Sequence, residues 1–233
     1  MRLSLAFAIF ICLFSTIALA DEVAVMDKVV SGDELTLRDG RTLRLFGTKA
    51  ALPEARAFLE SAVSGRALVL QGPTTDRYGR VTALATAEGD SQSVEETLLR
   101  EGLAFVYPDA GDTRLQTLYV AERAARVGKR GFWAENRDVS PKEAARFCGR
   151  YGFVTGSVSK AERVKNEAVL SFGDPDTPEF TVTIPAHDLA AFKKEGIDPL
   201  SLQGERIRVR GWIVKDKPPT MAVTDFYQME LVK

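Results

Sequence analysis

The dipeptide Asp39-Gly40 separates two short runs, Leu35-Thr36-Leu37 and Thr42-Leu43-Arg44-Leu45-Phe46, in which apolar residues recur at every second position. Asp-Gly supplies the positive backbone angles that a two-residue hairpin needs, and the alternation turns one face of each strand towards a core. Residues 23–30 carry a weaker form of the same pattern, and Ser31-Gly32-Asp33 reads as the turn joining them to the hairpin. The chain therefore opens with a three-stranded meander. Pro53 follows at the first-turn position that tolerates proline, and Ala55, Phe58, Leu59 and Ala62 recur at helical spacing over residues 54–63. Further strands are expected at 66–70 and 81–86, joined by a turn-rich segment from Gly72 to Gly79. Helices are expected at 94–101, stopped by Gly102, and at 115–127, stopped by Gly128, with a short apolar run at 103–107 between them.

Residues 135–150 read as a connector in which Ser140-Pro141-Lys142-Glu143 is a helix-start signal. Period-2 patterning then returns. Strands are expected at 154–158, 168–172 and 180–184, a helix at 189–194, and strands at 206–213 and 221–231. Three strands, a helix and two strands is the element order of an oligonucleotide-binding (OB) type barrel. The fold class is thus mainly β with helices (α+β), with one domain over 21–134, a linker over 135–150 and a second, OB-like barrel over 151–233.

The first twenty residues are set apart. Arg2 precedes an apolar run from Leu3 to Phe14, and Ala18-Leu19-Ala20 is a small-x-small cleavage signal before Asp21-Glu22. That is the layout of a secretory signal peptide, with an uncleaved membrane anchor as the alternative. Cleavage leaves a protein with no stable membrane span, exported to the periplasm or secreted into the medium. It also removes Cys12, so Cys148 remains alone and no internal disulfide is expected. Elsewhere, 45% apolar and 27% charged residues describe an ordered globular chain. With 31 basic against 32 acidic residues the balance does not favour a nucleic-acid partner by itself. Arg114, Arg123, Arg126, Lys129 and Arg130 read first as a solvated helix face and second as a local basic patch. His187, the single histidine, is expected at the surface. Trp133 and Trp212 are expected as core plugs, and Phe172, Phe180 and Trp212 as core packing before base stacking.

Three segments carry a resemblance. They are Ser31-Gly32-Asp33-Glu34-Leu35, Arg44-Leu45-Phe46-Gly47-Thr48-Lys49-Ala50 and Asp76-Arg77-Tyr78-Gly79-Arg80. A Glu-Gly-Leu-Ala-Phe-Val-Tyr run ending at Tyr107, an Ala-Glu-Arg-Ala-Ala-Arg helix and Gly131-Phe132-Trp133 follow them. Over about residues 23–134 the chain resembles the staphylococcal-nuclease (thermonuclease-like) family. The resemblance implies a five-stranded OB-type barrel with three helices. It also implies a site where calcium and two arginines surround a phosphodiester. Arg44 and Arg80 match the two phosphate-binding arginines, and Tyr78 the tyrosine near the substrate phosphate.

The carboxylates depart from the family pattern. Where the family usually reads Asp-Gly-Asp-Thr, this chain has Ser31-Gly32-Asp33-Glu34, so Asp33 alone keeps the position of a direct metal ligand. Ungapped alignment puts Lys49 at the second ligand aspartate. A charged lysine has donors and no lone pair to offer a cation. At about 4 Å and an effective dielectric near 20, its attraction to Asp33 is roughly 4 kcal/mol before desolvation. A Lys49–Asp33 ion pair is therefore expected where the family holds calcium. Glu54, after Pro53, has two readings: the general base displaced by a short insertion, or a first-turn acid favoured by the helix dipole. Three functions stay open. One is a catalytically degenerate module (a pseudoenzyme) binding nucleic acid, another phosphate-bearing ligand or a protein, with no cofactor. Another is an active calcium-dependent nuclease using Asp33, Arg44, Glu54 and Arg80. The last is a cell-envelope interaction protein.

Overall fold

The computed structural model describes residues 21–108, 112 and 114–232; the expected leader lies outside them. Along the first half come β1 (Glu22–Val29), β2 (Glu34–Leu37), β3 (Thr42–Leu45), β4 (Thr48–Ala50), α1 (Glu54–Val63), β5 (Ala67–Thr75) and β6 (Val81–Ala87). They are followed by α2 (Val94–Arg100), β7 (Ala104–Val106) and α3 (Leu115–Val127). Strands β1-β2-β3-β6-β5 close into a barrel, with β3 and β6 parallel and the other ladders antiparallel. Alternation does what the sequence implies. Leu35, Leu37, Leu43, Leu45, Leu68 and Leu70 are fully buried inside, each contributing roughly 1.5–3 kcal/mol of transfer free energy. Helix α2 starts on a reciprocal cap between Ser93 and Glu96. Off the barrel, β4 pairs with β7. Strand β4 is three residues long, too short to show a period, and it was not expected.

The second half contains β8 (Asp138–Val139), β9 (Tyr151–Val164), β10 (Glu167–Gly173), β11 (Pro178–Pro185), α4 (Leu189–Lys194), β12 (Arg206–Trp212), β13 (Thr220–Ala222) and β14 (Met229–Leu231). The hydrogen-bonded path is β13-β11-β10-β9-β12-β14, with β11 and β13 parallel. One antiparallel bridge, Val214 to Thr220, joins the chain just past β12 to the start of β13. The circular order β9-β10-β11-β13-β12 thus repeats that of the first barrel, but closure rests on a single bridge instead of a ladder. The expected strand at 221–231 is broken. Asp225 accepts a hydrogen bond from the Tyr227 amide at 2.7 Å and starts a 3-10 turn between β13 and β14. Residues 135–150 are more than a connector. Val139 and Ala144 are buried in the second core, and β8 pairs with β9.

The two halves share a buried interface, and strand phase creates it. On β12, Ile207 and Val209 face the second core, so Arg208, Arg210 and Trp212 face the other way, towards the first barrel. Their β9 partners in register include Phe153 opposite Arg210 and Tyr151 opposite Trp212. The Arg210 guanidinium meets the Glu122 carboxylate of α3 at 2.7 and 2.8 Å. It also donates to the Val106 carbonyl at 3.0 Å, while Glu122 accepts the Val106 amide at 2.6 Å. Both side chains are almost wholly shielded from solvent. Both carboxylate oxygens of Glu122 and both terminal nitrogens of Arg210 are engaged, the pairing that a buried charge requires. The clamp fixes β7, and with it Tyr107, against β12. Phe105, Phe132, Trp133 and Phe153 fill the space beside it.

Candidate nucleic-acid interface

Gly32 lets the β1–β2 turn approach α1. A Cβ there would lie 2.6 Å from the Cβ of Ala55 and 2.8 Å from that of Ala50, so no larger residue fits. The approach brings Asp33 against β4, where it is 2% exposed. Asp33 Oδ1 accepts the Ser31 hydroxyl at 2.8 Å; Oδ2 accepts Lys49 Nζ at 2.8 Å and the Ala50 amide at 3.4 Å. Burial acts to raise the Asp33 pKa, but the hydrogen bonds from Lys49 and Ser31 outweigh it and hold the carboxyl below its ordinary value. The carboxylate is therefore ionised and already satisfied by a cation and two further donors. Calcium takes six to eight oxygens. Here an ammonium lies against one oxygen of the single matched carboxylate. Among the described residues no three His, Cys, Asp or Glu side chains converge to hold a metal ion. The residues present do not fit the ion that the family resemblance implies.

In front of Asp33 opens a cleft of about 810 Å³. Four cations line it, Arg44, Lys49, Arg77 and Arg80, against two carboxylates, Glu34 and Asp76. Arg80 is held on both sides. Its Nε donates to Asp76 at 2.8 Å and Nη1 pairs with Glu34. Gly79 (φ +78°) closes the turn that carries it, with the Asp76 and Arg80 backbones bonded at 2.9 Å. Tyr78 is 67% exposed, with the Arg77 and Arg80 guanidinium carbons 4.7 and 5.2 Å from its ring centre. Arg44, opposite Glu34 in the β2–β3 ladder, points its guanidinium over the Tyr107 ring at 5.6 Å. Among the described residues it forms no ion pair.

The expected site residues are thus divided. Arg44, Tyr78, Arg80 and Lys49 share one cleft, and Asp33 lies behind Lys49. Glu54 sits exposed in the first turn of α1 and does not line the cleft. Asp33, at the end of the turn, bonds Lys49, whereas Glu34, the first residue of β2, pairs with Arg80, so the two carboxylates serve different partners. Trp212 is corrected: it is 54% exposed and lines the cleft instead of plugging a core. Its phase with Arg208 and Arg210, not with Ile207 and Val209, is the sequence signal for that position. Phe172 and Phe180 are fully buried, as is most of Trp133, and His187 is exposed. Cys148 is a free, half-buried thiol. Tyr107, which ends the Glu-Gly-Leu-Ala-Phe-Val-Tyr run, and Tyr151, which no motif marks, also line the cleft. The basic run on and around α3 is paired in part, and Arg123 and Lys129 line a second cleft. Arg114 pairs with Asp112, and Arg126 with Glu230 in this cleft of about 840 Å³, where Arg208 also reaches Asp138 and Glu230.

The first barrel thus has the closed, OB-like strand order and carries Arg44, Arg77 and Arg80 along one cleft. The sequence model of the staphylococcal nuclease homologue family matches residues 40–135, and this similarity supports a nuclease-like, nucleic-acid-binding assignment for the first barrel. The match ends before the second barrel. No curated protein matches the chain. Among the described residues no helix is long and apolar enough to cross a membrane.

Proposed function

We propose that this is an exported, catalytically degenerate thermonuclease-like protein whose first barrel binds the phosphates of nucleic acid without cutting them and without a cofactor. The observation that carries the reading is the 2.8 Å contact between Lys49 Nζ and Asp33. It puts a fixed ammonium beside the one carboxylate left at the metal position. Phosphoryl transfer depends on charge-stabilising groups whose loss costs on the order of 10³ to 10⁵ in rate. Arginine forks, by contrast, bind phosphate oxygens without any metal. Digestion of plasmid DNA and of RNA, in calcium and in chelator, tests the reading. No cleavage in either is expected, with salt-dependent oligonucleotide binding in both. Cleavage in calcium that disappears with Asp33→Asn or Glu54→Gln would establish the calcium-dependent nuclease instead. The leader-like residues 1–20 support export to the periplasm or the medium. Amino-terminal sequencing of the processed protein should begin at Asp21; an intact leader would contradict export by cleavage.

A further inference from the structure

We propose that the second barrel completes the cleft with a stacking platform, Trp212 backed by Tyr151, which selects unpaired bases and so directs the site to single-stranded nucleic acid. This rests on the phosphate-binding reading above and adds the part that the first barrel cannot supply. Trp212 is the last residue of β12 and Tyr151 the first of β9, and the two are partners in the ladder. Their rings meet edge to face, with centroids 6.2 Å apart. The Tyr151 ring lies 4.9 Å from that of Tyr107, and the Tyr107 hydroxyl accepts the Trp212 indole N–H at 3.3 Å. The indole donor is thereby used within the protein. What Trp212, half exposed, still offers a ligand is its π face.

A single side chain links this face to the phosphate cations. Tyr107 holds Arg44 over its ring at 5.6 Å and Trp212 at its hydroxyl. A nucleotide has the same order of parts: an anionic phosphate, one sugar, and a flat aromatic base. Cations outnumber carboxylates two to one along the cleft, which favours a polyanion over an apolar peptide. In a duplex the base faces are hidden in the stack, whereas a single strand presents them to aromatic side chains. The placement is not incidental to the fold. The Arg210–Glu122 clamp, two residues before Trp212 on the same strand face, fixes the platform against β7.

The test uses the full chain and three probes: short oligothymidylate, its abasic phosphodiester counterpart, and a duplex of equal charge. Only two tryptophans are present, and Trp133 is buried, so quenching of exposed indole emission reports on Trp212. Oligothymidylate should quench that emission and bind more tightly than the duplex. Trp212→Leu should weaken oligothymidylate binding on the order of ten-fold, the effect of losing one base–aromatic stack. Trp212→Phe should restore most of it, and the abasic chain should bind wild type and Trp212→Leu alike. Equal oligothymidylate affinity in wild type and Trp212→Leu, with the abasic chain still bound, would overturn the platform and leave phosphate binding standing. Failure of wild type to bind any of the three probes would overturn both.

Discussion

Replacing Lys49 by methionine keeps the length and the aliphatic stem of the side chain and deletes the ammonium that faces Asp33. Asp33 would retain the Ser31 hydroxyl and the Ala50 amide but lose its only cation. A hydrogen bond involving a charged partner contributes about 1.5–3 kcal/mol net. The Lys49 side chain is half exposed, so solvent already screens the pair and places the expected loss at the lower end, about 1–2 kcal/mol. The pH dependence gives the prediction its signature. The folded pKa of Asp33 lies below its ordinary value of 3.8. Its stabilising contribution is therefore present above that value and is lost as pH falls through the folded pKa. Lys49→Met reduces the depression, so the stability gap between wild type and variant should be widest near neutrality and close in acid. Urea unfolding followed from neutral pH into acid well below the ordinary aspartate value, until the wild-type contribution has gone, measures the gap at each step. A gap that is absent, or that stays constant through the acid range, would refute the pairing as the source of the effect.

Three other outcomes follow. Glu95 is fully buried, and desolvation pushes its pKa up to about 8 against the amides that bond it. A raised carboxyl stabilises the fold below its unfolded pKa and loses that contribution as pH climbs. Wild type should therefore lose several kcal/mol between about pH 4.5 and 8. Glu95→Gln should flatten this slope and be the more stable protein at pH 8 in thermal melts; parallel curves would contradict it. Arg210→Met strands the Glu122 charge and should cost about 3–5 kcal/mol, most of it recovered in the double variant with Glu122→Gln. A double variant no more stable than Arg210→Met alone would contradict the clamp. Arg44→Gln should weaken oligonucleotide binding and lower the salt slope by about one unit; an unchanged slope would remove Arg44 from the phosphate site.

Much of this architecture is readable in the chain because alternation and turn residues act locally. The Asp39-Gly40 hairpin, α1 from Pro53 and α3 up to Gly128 need only near-neighbour chemistry, and the elements form where those signals lie. The Lys49–Asp33 contact was also legible, since aligned motifs place one side chain opposite the other. Three features were not. Strand β4 exists only because β7 pairs with it, a partner about 56 residues on that no local pattern announces. Strand 221–231 breaks where the Asp225 cap competes with the ladder for backbone amides. Trp212, expected as a core plug, shares its strand phase with Arg208 and Arg210 and lies with them outside the core. Which surface that face would meet depends on how the second barrel docks, and docking is set by the Arg210–Glu122 pair, 88 residues apart in sequence.

A calorimetric calcium titration of the wild-type protein at neutral pH tests the substitution of ammonium for metal most directly. The arrangement around Asp33 predicts no saturable heat up to millimolar calcium, with the Asp33 oxygens remaining on Lys49, Ser31 and Ala50. Stoichiometric binding in the micromolar range, abolished by Asp33→Asn, would contradict it.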